Sequence, residues 1–245
     1  MTNKLSPKYF LHILVFVFCF PVSTAMALPE VTVTAGVKLW QNEWTYRASS
    51  NVKFEDSSFL IGPSIKLSMQ RYFAGITYMR SSDDYDLTWR NYSMKTPRTD
   101  TDMVAGYLFG SHLALFAGYK GIRYATDNYQ SGEWLSNGSN AIDAGLVGVS
   151  LYRTFKSNGL TLMASLAGGI YQANSRYEFQ DDTESEDDLL RFGNQGQIYS
   201  VQAGLTLPIS EMTFLNISYK YQLLQSDVDT DMDFRGILYS LDFVF

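Results

Sequence analysis

Ten stretches of the chain alternate apolar and polar residues with a period of two. In 31–47, Val33, Ala35, Val37 and Leu39 share one face, opposite Thr32, Thr34, Gly36 and Lys38, and Trp40, Trp44 and Tyr46 cluster further along. Successive side chains of a strand point to opposite faces, so this pattern predicts a strand with one apolar and one mixed face. It recurs in 59–69, 72–78, 103–109, 113–120, 160–170, 199–207, 215–223 and 235–245. In 141–155 two parities compete: Val147, Val149 and Leu151 against Ile142, Ala144 and Leu146. Pro63 lies inside the second stretch and counts against an unbroken ladder there.

Short turns near 71, 111, 157 and 210 alternate with long polar loops near 50, at 81–99, at 126–140, at 181–194 and near 230. Strict short–long alternation with both ends on the short-turn side is the pattern of a membrane barrel. No later segment has 18 consecutive apolar residues, so no helix of bilayer length is expected, and a closed barrel is the remaining way to cross a membrane. The expected fold is all-β, a closed antiparallel transmembrane β-barrel over 28–245. Ten strands are counted; merging or splitting a hairpin gives eight or twelve.

The last stretch sharpens this. Ile237, Tyr239, Leu241, Phe243 and Phe245 form one apolar face, opposite Gly236, Leu238, Ser240, Asp242 and Val244. This ending resembles the terminal strand of bacterial outer-membrane β-barrels, in which a C-terminal aromatic closes the barrel and is read by the assembly machinery. The resemblance is one of class and covers 28–245. It implies Tyr239, Leu241, Phe243 and Phe245 as the assembly signal, a Gram-negative outer-membrane location, and the barrel-assembly machinery, outer-membrane lipid and lipopolysaccharide as partners.

Residues 1–27 agree. Lys4 and Lys8 precede an apolar run at 9–20, and Ala25-Met26-Ala27 ends the segment. That order predicts a cleaved secretory signal peptide, with an apolar core too short to span a bilayer. Cys19, the single cysteine, lies within it, so the remainder has no disulfide, thiolate metal site or cysteine nucleophile. The net charge is −6, and losing Lys4 and Lys8 makes the remainder more acidic, which argues against a nucleic-acid partner.

Candidate chemistry is sparse. Lys38, Lys66, Lys120, Asp143, Lys220 and Asp242 fall on expected strands, and all but Asp143 lie on faces assigned to the lumen. A charge in lipid costs about 2–4 kcal/mol at the midplane, so these side chains are expected to line the lumen. Ten strands lie nearer the filled interior of eight than the channel of sixteen. Outer-membrane proteases, lipid A deacylases, palmitoyltransferases and phospholipases use a His near the outer rim or leaflet. Here His12 lies in the signal segment and His112 in a short turn. Asp83, Asp84 and Asp86 resemble the paired acids of an omptin rim without the partner His, so no enzyme activity is expected.

Asp227, Asp229, Asp231 and Asp233 open like a calcium loop, but Met232 and Leu238 stand where that loop needs Gly and Glu. With Asp181, Asp182, Glu184, Glu186, Asp187 and Asp188 they are candidates for loosely held Ca²⁺ or Mg²⁺ beside lipopolysaccharide phosphates; no other cofactor is expected. The expected function is non-enzymatic: porin-like passage of small solutes or ions, or a plugged surface scaffold. The alternatives are an adhesin acting through acidic loops and, third, an envelope lipid- or peptide-processing enzyme.

Overall fold

The computed structural model describes residues 31–49, 52–155, 157, 159–179, 189–227 and 230–245. The expected signal segment, with His12 and Cys19, lies outside the described residues, as do Asp181, Asp182, Glu184, Glu186, Asp187, Asp188 and Asp229.

Backbone pairing dictates the architecture. The strands are β1 (Val31–Ser49), β2 (Val52–Met69), β3 (Tyr72–Ser81), β4 (Tyr85–Trp89), β5 (Tyr92–Thr96), β6 (Arg98–Phe109), β7 (Leu113–Gln130), β8 (Glu133–Thr154), β9 (Thr161–Phe179), β10 (Leu189–Pro208), β11 (Thr213–Ser226) and β12 (Asp231–Val244). Ten of them, all but β4 and β5, form a closed antiparallel barrel with neighbours paired in chain order. The first and last strands join in register from Thr34↔Val244 to Arg47↔Asp231. Phe245 completes the seam: its N–H donates to the Val33 carbonyl at 2.8 Å, and its own carbonyl accepts from Val33 N–H at 3.2 Å.

β4 and β5 continue the wall where β3 and β6 stop. They pair from Tyr85↔Thr96 to Trp89↔Tyr92. β5 joins β7 from Tyr92↔Gln130 to Lys95↔Asp127, and β4 meets β2 at Glu55↔Thr88. The break falls at Pro97, which has no N–H to give a ladder. Pro63 is accommodated similarly: β2 keeps its register to β1 through Val37↔Pro63, while the β2–β3 ladder steps from Ile61↔Arg80 to Ser64↔Thr77.

Three stretches expected as long loops are therefore largely strand: the region around 50, 81–99 and 126–140. β7 and β8 run on to a two-residue hairpin at Ser131 and Gly132, both with positive φ (53° and 86°), as a type I′ turn requires. Above the lipid a strand's outer face meets water, so both faces carry polar residues and the segment reads as loop.

The outer face bears a broad apolar belt, including Val37, Ile61, Ile65, Ile76, Met103, Leu115, Val147, Leu166, Ile170, Val201 and Leu241. Aromatic residues edge it: Tyr72, Phe109, Phe243 and Phe245 near the short turns, and Phe59, Tyr78, Tyr199 and Tyr219 on the other side. An apolar band between aromatic girdles is the signature of a lipid-facing barrel wall. In β8 the parity resolves plainly, with Ile142, Ala144 and Ser150 buried inward and Val147 and Leu151 outward.

One glycine is required by the seam. Gly236 has φ +151°, and a Cβ there would sit 1.7 Å from the Gln41 carbonyl oxygen. Gly236→Ala is expected to destabilise the refolded barrel by about 1–3 kcal/mol, read as a lower urea midpoint of tryptophan fluorescence at unchanged slope.

Candidate functional site

The inward faces converge on a filled bore. Trp40 and Trp44 of β1, Leu60 of β2, Ile122 of β7, Ile198 of β10 and Phe234 of β12 form one buried cluster, joined by Tyr85 and Leu87 of β4. Trp44 lies edge-on to Tyr85 and Tyr124, with ring centroids 5.2 and 5.0 Å apart. Such edge-to-face geometry sets the positive rim of one ring against the negative face of the next.

A fully buried cation sits within this layer. Arg98 has 0% of its surface exposed, as does Asp100, and Lys120 has 1%. Arg98 and Asp100 are two apart on β6 and so share its inward face. Their contact is bidentate, Nε to Oδ1 at 2.7 Å and Nη2 to Oδ2 at 2.8 Å. Arg98 Nη1 donates to Asn42 Oδ1 at 3.2 Å, which also accepts from the Tyr85 hydroxyl at 2.9 Å. The Arg98 guanidinium carbon lies 3.8 Å from the Phe234 ring centroid, 5.4 Å from Trp44 and 5.8 Å from Trp40. The quadrupole of these rings supplies the attraction that water would otherwise give the cation. Burial pushes the Tyr85 phenol well above its usual range, so it stays a neutral donor.

The network descends from there. Lys120 Nζ donates to Asp100 Oδ2 at 2.8 Å and to Asp102 Oδ1 at 2.9 Å, and Lys220 Nζ reaches Asp102 Oδ2 at 3.5 Å. Below the aromatic layer lies a polar cavity of about 380 Å³, lined by Lys38, Lys66, Asp102, Gln202, Lys220 and Asp242 among others. Lys38 Nζ donates to Thr77 Oγ1 at 2.9 Å, and Lys66 Nζ lies 5.3 Å over the Phe73 ring. Asp242 accepts from Asn216 Nδ2 at 2.8 Å and from Ser240 Oγ at 2.7 Å. Three lysines thus line this cavity with two aspartates, and it carries a positive excess.

No family model matches the chain, and no curated protein matches it. Solved structures do. The outer-membrane protease OmpT of Escherichia coli is similar at 10% identity and a TM-score of 0.64, covering 91% of this chain and 99% of its own. The translocator domain of the autotransporter NalP of Neisseria meningitidis is similar at 11% identity and a TM-score of 0.54, covering 96% and 94%. The fold is that of the bacterial outer-membrane β-barrels. The lipid-facing belt places the chain in that membrane.

Within this barrel, Lys38, Lys66, Lys120, Lys220 and Asp242 come together around the bore. Asp143 does not join them. It shares the outward parity of Val147 and Leu151, where Arg123 Nη2 lies 2.6 Å from it and the Tyr119 hydroxyl also donates to it. An ion pair above the apolar belt, not the lumen, accommodates this charge. Asp233 is buried against Arg47 at 2.6 Å, whereas Asp227 is exposed and Asp231 half-buried. Among the described residues no three His, Cys, Asp or Glu side chains gather where a metal ion would sit. His112 lies at the short-turn end, its Nδ1 3.2 Å from the Tyr152 carbonyl. Tyr239, Leu241, Phe243 and Phe245 face outward along the closing seam.

Sequence reasoning missed Arg98, Asp100 and Asp102 because the fourth barrel strand, β6, is read there as starting at Met103, whereas it starts at Arg98. The signal was present: counting back by two from Val104 puts all three on the inward face. Arg98→Leu is expected to cost about 3–5 kcal/mol by stranding the buried Asp100 carboxylate. Adding Asp100→Leu should restore part of that loss, both read from urea titrations of the refolded protein.

Proposed function

We propose that the protein is a non-enzymatic surface barrel, closed at rest by its own side chains. The observation that carries this is the aromatic layer of Trp40, Trp44 and Phe234 around the buried Arg98, which lies across the bore above the polar cavity. Everything a solute would have to displace there is closely packed, and Arg98 is held within it by hydrogen bonds to Asp100 and Asn42. Function then resides at the outer end, where β4–β5 and the β7–β8 hairpin extend the wall as paired sheet rather than loose loop. Such a rim suits an adhesin or scaffold, because a preformed surface loses less entropy on binding than a flexible one.

A second reading has its own support. The cavity beneath the layer, with three lysines against two aspartates, suits passage of small anions if the layer opens. Single-channel recording of the refolded, heat-modifiable protein in planar bilayers separates the two. The unaltered protein is expected to pass no discrete current. Trp40→Ala/Trp44→Ala/Phe234→Ala is expected to conduct with anion preference, and adding Lys66→Glu and Lys220→Glu should reverse that preference. Conductance by the unaltered protein would overturn the closed reading and favour the pore.

A further inference from the structure

The outer face between β3 and β10 carries an arrangement that the bore does not use. Paired positions run in one unbroken row across six strands: Arg80 beside Thr99, Thr99 beside Arg123, Arg123 beside Ala141, Ala141 beside Asn174, and Asn174 beside Gly193. One step further from the short turns, Ser139 lies between Ala125 and Arg176. The small residues in these rows form the floor of an open recess of about 740 Å³, and Arg80, Arg123 and Arg176 stand exposed around it.

Its position on the wall is specific. Arg80 follows two residues after Tyr78, Arg123 four after Tyr119, and Arg176 six after Ile170, so on each strand the arginine is among the first outward positions past the apolar belt. The charges are also unevenly balanced. Elsewhere at this end Arg47 pairs with Asp233, Arg235 with Glu43 and Lys53 with Glu55, while Arg90 and Lys95 lie singly over the rings of Trp89 and Tyr129. In the recess Arg123 pairs with Asp143, while Arg80 and Arg176 make no ion pair among the described residues.

We propose that this recess binds the phosphorylated headgroup of an outer-leaflet glycolipid. Arginine presents a rigid fork of donors that matches phosphate oxygens in pairs, and several forks around one concavity suit a headgroup with more than one phosphate. The acyl chains then run down the wall over Tyr78, Ile76, Met103 and Ile170, all exposed. A free anion would gain nothing from that apolar surface. The proposal rests on the chain's place in the outer membrane and not on the state of the bore.

The test is a binding titration of the full, refolded protein in neutral detergent against purified lipopolysaccharide, enzymatically dephosphorylated lipopolysaccharide and inorganic phosphate. Arg80→Ala/Arg176→Ala is the diagnostic variant, with Arg71→Ala/Arg153→Ala at the short-turn end removing the same charge as a control. Heat-modifiable migration verifies folding, and the single Arg80→Ala and Arg176→Ala variants serve if the double one does not fold. The expected result is at least tenfold weaker binding of lipopolysaccharide by the diagnostic variant. A similar loss is expected on dephosphorylation, and no change in the control. Undiminished binding by the diagnostic variant would overturn the site. Displacement of the lipid by an equal concentration of inorganic phosphate would overturn the lipid assignment and leave a simple anion site.

Discussion

A hydrocarbon environment offers nothing to an unpaired backbone N–H or C=O, and each one left open there costs several kcal/mol. A sheet in that environment must bond its first strand to its last. The long β1–β12 register meets this demand, and the Phe245–Val33 hydrogen bonds carry it to the end of the chain. Closure with ten strands has a consequence for the inside. The circumference fixes a bore that about one layer of large side chains can span, so the choice of inward residues decides whether the barrel is open or solid.

Here the outer half of that bore is made solid in an unusual way, around a charge. A bare guanidinium in an apolar interior is prohibitive. Arg98 is tolerated because its fork meets both oxygens of Asp100 while ring faces of Phe234, Trp44 and Trp40 surround it. Asp100 in turn is shared with Lys120, and Lys120 with Asp102, so no member of the chain is left alone. Arg98, Asp100 and Asp102 stand on β6, Lys120 on β7, Lys220 on β11, Phe234 on β12 and the two tryptophans on β1. The network therefore fixes how the strands stand relative to one another as well as neutralising charge.

The transmembrane half of the barrel was legible in the sequence because lipid on one side and a narrow bore on the other enforce strict alternation. Val147 and Ile142 show its limit: both parities of β8 are apolar, since its inward face also contributes to the buried layer. Legibility ended where the lipid did. In 52–58, 85–96 and 126–140 the outer face meets water, the contrast between faces fades, and polar composition looks like loop. The same blind spot hid Arg98 and Asp100, whose partners Asn42, Phe234 and Lys120 are distant in the chain. Asp143 shows the converse. A charge on a strand suggested an inward position, but its distance along β8 from the apolar belt put it among outward ion pairs instead.

The wall is not equally continuous around its upper rim. Among the described residues the other strands rise unbroken from the short turns, but at β4 and β5 the rim is a separate panel, entered at 82–84, left at Pro97 and joined to β2 by one ladder pair and the Ser82–Phe59, Ser58–Asp83 and Asp86–Asp56 hydrogen bonds. Such a panel is modular. Its outward residues can drift or be exchanged without altering the register of any strand that crosses the lipid, whereas Tyr85 and Leu87, which enter the buried layer, are bound to the barrel below.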